Sequence, residues 1–499
     1  MGKRAEQAKK RRRLAGPEKL HFVKPQLPLE DSRSTSPSST LVASEDLETT
    51  IYVLKTLAQN PEGLADKSMK ELKRATYDLQ RVIAEGATVG SSLTARISSA
   101  LQDYRFTDAL VLLFEMHARR IPPKLGALQR WVRECDATSK EDGTPGDPEA
   151  LRCLDMMLRI AGVTTDRYGQ AGEGSEAIVR RKSAWRARGE VEGEVKIWEL
   201  MQKKALFSPP HYTPPKEILF RSVHHLPGHL RRPPNLYSST VYASSPSAIA
   251  LTPEDQRRRT PSKVEVPGVP GAFLVLDVFT PEECLQIVQA AVNIGFERDE
   301  AAAGSAKLKT SILAHNFLWL ADKPFLDNFY GRLLPFVPTA APLAADRNGG
   351  GKVRGINARF RVYQYNEKQV YRPHIDGAWP AAGLDPVTGE YLHESSPLSD
   401  PLWSRYTLLV YLNSDIPDDT GCTTFFLPSK EIGVLEATPV KPIQGAVLCF
   451  PHGDTQGSLL HEGSAVGPNG GKLVIRTDLL YEAKGFGAFK PPASVWAGC

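Results

Sequence analysis

From Ser44 onward apolar residues recur at three- and four-residue intervals: Ile51, Leu54, Leu57 and Ala58, then Leu72, Ala75, Leu79, Val82 and Ile83. That spacing lines one face of an amphipathic helix. The stretches 101–121 and 149–161 continue it, parted by Pro145, Gly146 and Pro148, and together predict a compact helical domain over 44–163. Periodicity is lost over 164–268. There Pro209, Pro210, Pro214, Pro215, Pro227, Pro233 and Pro234, with a Ser-rich piece from Ser238 to Ser247, predict a linker holding one helix near 184–205. Globular texture returns at Pro267. A short strand is expected over 272–278, and Thr280-Pro281-Glu282-Glu283 then supplies an N-cap, a first-turn proline and a third-position glutamate for a helix over 284–295. Beyond Gly355 short β-branched and aromatic runs divided by turn residues predict strands over 356–365, 406–413, 423–427, 446–450 and 472–481. Helices followed by strands predict an α+β protein ending in a β-sandwich or barrel with helices packed on one side.

Composition changes little in this picture. With 499 residues, 41% hydrophobic and 24% charged, the chain is ordinary globular material and too long for a single small module. The net charge of +5 is small against 62 basic and 57 acidic side chains, but it is concentrated. Lys3, Arg4, Lys9, Lys10, Arg11, Arg12 and Arg13 face only Glu6, so 1–43 reads as a disordered basic and Ser/Pro-rich tail. It could serve nuclear import or remain a plain solvated tail; 486–499 is a second tail. No apolar stretch follows the basic cluster and no run of 18 apolar residues occurs, so neither a secretory signal nor a membrane partner is expected. The six cysteines form no Cys-x-x-Cys pair, which argues against a disulfide framework and for the nucleus or cytoplasm. Arg119, Arg120, Lys124, Arg130 and Arg133 surround Trp131 and read as an exposed helix face over one buried ring, which disfavours nucleic acid as a partner.

Candidate chemistry lies in Tyr371-Arg-Pro-His-Ile-Asp-Gly377. In a strand, residues two apart share a face, so His374 and Asp376 would present an imidazole and a carboxylate together. His461, in Leu-Leu-His-Glu-Gly-Ser464, follows 87 positions after His374, just past an apolar strand, where a sandwich returning on itself can bring it opposite. Two imidazoles and one carboxylate with open positions suit a non-haem Fe(II) oxygenase, whereas a structural zinc prefers four protein ligands. Lys472, Val474 and Arg476 share one face of the strand that follows. A buried cation there needs an anion, for which the far carboxylate of 2-oxoglutarate is the candidate. Four strand residues span about 13 Å, so Lys472 and Arg476 are rivals, with Lys472 preferred.

The order His-x-Asp, Leu408-Leu-Val-Tyr-Leu-Asn413, Gly421-Cys-Thr-Thr-Phe-Phe426, then His461-Glu-Gly and a downstream cation resembles the prolyl 4-hydroxylase-type family of 2-oxoglutarate and Fe(II)-dependent dioxygenases. The resemblance covers about 269–485 and implies a double-stranded β-helix, a distorted jelly roll with flanking helices, behind an all-α domain. It implies His374, Asp376 and His461 as iron ligands and Lys472, or else Arg476, as the co-substrate's cation. Tyr365 and Tyr411 correspond to pocket tyrosines, with core packing as their alternative. The turn Thr420-Gly-Cys-Thr423 and the inserted Pro451-His-Gly-Asp-Thr-Gln-Gly457 depart from the family pattern, and His452 within the insertion is not expected to be a ligand.

By resemblance the chemistry is hydroxylation of a C–H bond with O2, coupled to decarboxylation of 2-oxoglutarate to succinate, with ascorbate as reductant. A protein side chain, proline first, is the expected substrate, recruited by the helical domain as a partner-binding module. A small-molecule hydroxylase and a catalytically silent scaffold are the alternatives. Residues 377–405, with Trp379, Tyr391, His393 and Trp403, read as a substrate lid or as a disordered insertion.

Overall fold

A computed structural model describes residues 43–483 apart from 87–91, 141–143, 163–175, 213, 216, 232–234, 236, 299–313, 342–350 and 418. The basic cluster at the start of the chain and the tail expected over 486–499 lie outside the described residues. The chain divides into two compact units, Met1–Arg74 and Ala75–Cys499. In the first, helix α1 (Ser44–Gln59) opens with Glu45 and Asp46, which complement the positive end of its dipole. It ends where the Asn60 side chain donates back to Thr56 O at 2.9 Å, and Asp66 accepts from Ser68 N at 2.7 Å ahead of α2 (Lys70–Gly86).

After α2, the second unit continues with four further helices: α3 (Leu93–Gln102), α4 (Phe106–Ala118), α5 (Leu125–Cys135) and α6 (Pro148–Ile160). The helix expected over 101–121 is broken in two, because Tyr104 takes a positive φ of 57° between α3 and α4. Asp147 caps α6 by accepting from Glu149 N and Ala150 N, and Pro148 occupies the first turn. Leu101, Leu113, Trp131, Leu154 and Met157 are buried in one cluster with Phe426, Leu435 and Ala437, which belong to the strands described next. These helices therefore share a core with the β-region. Buried Asp155 ties the two together: it pairs with Arg159 at 2.9 Å and accepts from Gly433 N at 2.8 Å, while Arg159 donates to Ser429 O and Glu431 O at 2.7 and 3.0 Å.

The segment expected to be a linker adds edges to the sheets. It contains β1 (Ile178–Arg181), α7 (Ile197–Gln202), β2 (Phe220–Leu226), β3 (Ser239–Ser244) and β4 (Ser262–Glu265). The helix expected near 184–205 is thus confined to α7. β5 (Phe273–Leu276) precedes α8 (Pro281–Ile294), whose capping box from Thr280 and Glu283 is present as expected. β6 (His315–Leu320) and α9 (Lys323–Leu333) follow. Then come β7 (Val353–Ile356), β8 (Arg359–Tyr365), β9 (Tyr371–His374), β10 (Gly383–Leu384), β11 (Tyr391–Leu392) and β12 (Leu402–Tyr411). The last are β13 (Thr423–Pro428), β14 (Val434–Val440), β15 (Val447–Pro451), β16 (His461–Gly463) and β17 (Lys472–Glu482).

One sheet runs β1-β14-β13-β16-β9, and the other contains β8-β17-β12-β15, extended by β6, β3 and β2 on one side and β5 and β4 on the other. The pairings nest: β8 with β17, β9 with β16, β12 with β15 and β13 with β14, all antiparallel. A ribbon of nested antiparallel pairs rolled into two facing sheets is a jelly roll, so the fold is α+β with a double-stranded β-helix. Period-two alternation sorts the larger sheet's side chains. Phe360, Val362, Leu408, Val410, Leu473 and Ile475 pack against α8 and α9, and the residues between them, among them Arg361, Tyr363, Thr407, Tyr411, Lys472 and Arg476, have the opposite face. Glu283 and Arg332, 7% exposed or less in their side chains, lock α8 to α9 at 2.8 Å.

No helix among the described residues is long and apolar enough to cross a membrane. Replacing Asp155 by Ala strands the buried Arg159 charge and is expected to cost about 3–5 kcal/mol. Chemical denaturation of the variant measures this; a loss below about 1 kcal/mol, the surface-pair range, would contradict the clamp.

Candidate active site

β16 lies beside β9 with His461 directly opposite His374, their ring centroids 4.4 Å apart. His374 Nδ1 is 2.8 Å from Arg372 O, and His461 Nδ1 is 3.1 Å from Leu459 O. A carbonyl can only accept, so each Nδ1 carries a proton and donates, and in the neutral ring each Nε2 keeps its lone pair. Both lone pairs face Asp376: His374 Nε2 is 3.5 Å from Oδ1 and His461 Nε2 is 3.7 Å from Oδ2. Across the three residues the ligating atoms lie within 4.8 Å of one another. Asp376 was expected to share a strand with His374, but β9 ends at His374 and the carboxylate enters from the segment after it. The helical layer fixes that segment. Gln129 of α5 donates to Ile375 O at 3.0 Å, and Arg372 is held by Asp136 just past α5 at 2.8 Å.

Burial opposes the charge on Asp376, but the Arg476 guanidinium outweighs it and holds the carboxyl well below its usual range. Burial and the neighbouring His374 push the His461 imidazole down to about 3. Arg476 donates from Nε to Asp376 Oδ2 at 3.3 Å and lies 3.3 Å from Asp478 Oδ1. Burial pushes the Asp478 carboxyl up to about 6 against the pull of Arg476. Asp376 Oδ2 also accepts from Thr407 Oγ1 at 2.7 Å. Thr407 Oγ1 is in turn 2.7 Å from Nδ1 of His452, a residue only 1% exposed. His452 thus stands behind Asp376 and outside the cluster, in a Gly-rich loop that is buried at this point. Burial and Arg476 push its imidazole down to about 3.

Lys472 and Arg476 are separated by their partners. Lys472, 2% exposed, has no acidic side chain within ion-pair distance among the described residues. Its Nζ lies 5.5 and 5.6 Å from the ring centroids of Tyr365 and Tyr411 and 3.5 Å from Thr423 Oγ1. Tyr411 donates to Thr423 Oγ1 at 2.9 Å. Burial pushes Lys472 down to about 8 and pushes both tyrosines up. Lys472, Tyr365 and Tyr411 lie on the larger sheet and Thr423 on the smaller one, so this cluster bridges the two sheets.

The residues expected in a lid scatter. Trp379 stacks under the Arg359 guanidinium at 4.5 Å and meets His393 edge-on at 5.8 Å. Tyr391 is a core residue, packed with Val241, Ala243, Leu318 and Leu320. Trp403 belongs to β12, opposite Tyr481. Among the residues around the site, Thr407 and His452 were missed. Their signals were a polar residue in the middle of the apolar run Tyr406-Thr-Leu-Leu-Val-Tyr411 and a histidine one residue beyond β15.

No family model matches the sequence, and no curated protein is similar to it. Solved structures do match. A collagen prolyl hydroxylase from Paramecium Bursaria Chlorella virus-1 is 16% identical over 46% of this chain and 98% of its own, with a TM-score of 0.26. A Trichoplax adhaerens prolyl hydroxylase is 15% identical over 42% of this chain and 84% of its own, at 0.28, and a Burkholderia pseudomallei 2OG-Fe(II) oxygenase is 10% identical over 42% and 84%, at 0.24. At such values the fold is read from its own strand order.

A lysine whose folded pKa is lowered binds its proton less well in the folded chain than in the unfolded one. The resulting penalty is full below pH about 8 and fades between about 8 and the ordinary 10.5. Lys472→Met should therefore stabilise the ligand-free protein at pH 7 by on the order of 1–3 kcal/mol, with the gain shrinking as the pH is raised toward 10. Denaturation curves at the two pH values test this, and a variant less stable than the parent at pH 7 would contradict it.

Proposed function

We propose that the protein is a 2-oxoglutarate- and Fe(II)-dependent dioxygenase that hydroxylates a protein side chain, with proline the first candidate. The observation that carries this reading is the convergence of two imidazole lone pairs and one carboxylate within 4.8 Å. Each imidazole is oriented by an Nδ1–H bond to a carbonyl, the outer contact that metal-ligating histidines make. Three electron-pair donors pointed at one place suit a cation, and two nitrogens with one oxygen leave positions open on an octahedral metal. Iron(II) held there would activate dioxygen, so that substrate C–H, O2 and 2-oxoglutarate become C–OH, succinate and CO2.

The chain's own residues do the rest. Lys472 meets the far carboxylate of 2-oxoglutarate, which supplies the anion its burial lacks, and Tyr411 with Thr423 shapes the acceptor pocket beside it. Arg476 is committed to Asp376 and Asp478, which supports Lys472 over its rival. Thr407 and Arg476 hold Asp376 ionised and aimed at the two rings. Proline, and the choice of a protein over a small molecule, rest on the sequence resemblance alone. Ascorbate as reductant rests on the same ground.

Purified protein supplied anaerobically with Fe(II) and 2-oxoglutarate, then exposed to air, should form succinate. His374→Ala should fall to the metal-free background, and Lys472→Met should raise the KM for 2-oxoglutarate about 10- to 100-fold, the worth of one charge-assisted bond. Proline-containing peptides should raise succinate output above that of a metabolite pool. Succinate formation unaffected by His374→Ala would refute the assignment, and stimulation by metabolites alone would move the substrate to the small-molecule class.

A further inference from the structure

A chain of buried hydrogen bonds runs from the base of the 377–405 segment to Asp376. Ser404 N donates to Trp379 O at 2.8 Å and Trp379 N donates to Ser404 Oγ at 2.8 Å, so the two ends of the segment are joined at this point. Ser404 Oγ is 2.8 Å from His452 Nε2, His452 Nδ1 is 2.7 Å from Thr407 Oγ1, and Thr407 Oγ1 is 2.7 Å from Asp376 Oδ2. Ser404, Thr407 and His452 are each 1% exposed or less.

Donor and acceptor roles follow from one end. Ionised Asp376 can only accept, so the single Thr407 hydroxyl proton goes to it. Thr407 Oγ1 must then accept from His452, which places the imidazole proton on Nδ1. Nε2 is left as an acceptor, and the Ser404 hydroxyl, already accepting from Trp379 N, fills it. Every proton along the chain has one place.

The inserted loop is built to deliver His452 to this position. Its backbone N donates to Arg405 O at 3.0 Å, continuing the β15–β12 ladder, and Gly453 N donates to Asp376 O at 3.0 Å. Gly453 has φ +62°, and a Cβ there would come within 2.9 Å of Ala378 Cβ and 3.1 Å of Ala378 N, so only glycine lets the loop approach this closely.

We propose that His452 is a positioning residue for the metal centre: through Thr407 it fixes the Asp376 carboxylate, and through Ser404 it links that carboxylate to the base of the 377–405 segment. This rests on the metal-binding reading given above. The role resides in the Nδ1–H donor, and a substitution can isolate it. Asparagine places an amide donor where Nδ1 stands and lacks the distal acceptor. Glutamine reaches the Nε2 position and lacks the proximal donor, although it fills the cavity better. A residue that only fills space should therefore tolerate Gln more readily than Asn, and a residue that orients Asp376 should tolerate Asn.

The test is anaerobic titration of the full chain with Co(II), following the visible ligand-field bands, with thermal melting of the metal-free proteins as a control on folding. His452→Asn should keep the Co(II) Kd within about 3-fold of the parent with the same band shape, whereas His452→Gln should weaken it about 10- to 100-fold and shift the bands, the usual range for lost outer contacts of a metal site. Thr407→Ser should resemble the parent and Thr407→Val should resemble His452→Gln, which keeps the test decisive if a His452 variant does not fold. Equal effects of Asn and Gln, or a Gln variant that binds like the parent, overturn the proposal. Absence of Co(II) binding by the parent chain overturns the metal reading itself, and this inference with it.

Discussion

The pairing of β16 with β9, which sets His461 opposite His374, is the constraint on which the site depends. Side chains alternate along a strand, so a slip of one residue would turn one imidazole to the far face of the sheet. Nothing within three- and four-residue strands enforces such a register. It is enforced from outside, by β13 on one flank and on the other by α5 and the turn after it, through Gln129 to Ile375 O and Asp136 to Arg372. The helical layer is in this sense part of the site's scaffold, and the Asp155–Arg159 clamp seats it against β14 and the turn before it.

Electrostatics divides the inner face of the larger sheet into two regions. Around Asp376, one cation serves two carboxylates, with Arg476 shared between Asp376 and Asp478. Four residues along the same strand, Lys472 sits among rings and a hydroxyl with no acid beside it among the described residues. A buried charge left that way costs stability, and such costs persist where a ligand relieves them.

Much of this was legible in the sequence wherever the signal was local. The capping box at Thr280 and Glu283 and strands β12, β13, β15 and β17 were readable because caps and alternating β-branched runs are short-range patterns. The ordered motifs singled out His374, Asp376 and His461, although Asp376 lies past the end of β9. The segment 164–268 read as a linker partly because two of its strands draw on partners far along the chain: β1 pairs with β14, and β3, besides its neighbour β2, with β6. Proline density there marks turns between edge strands, a distinction that composition does not make. His452 lies in the Gly-rich loop that the sequence marks, outside the ligand cluster. The glycines around it signal a loop, and only the close approach of Gly453 to Ala378 shows that the loop is buried.

The central claim is that His374, Asp376 and His461 bind one divalent metal. A crystal structure of the protein grown anaerobically with Mn(II), with anomalous data collected for the metal, tests it most directly. A single anomalous peak is expected about 2.0–2.2 Å from His374 Nε2, an Asp376 carboxylate oxygen and His461 Nε2, the range found for first-row metals on such ligands. A peak elsewhere, or none with the three side chains ordered, would contradict it.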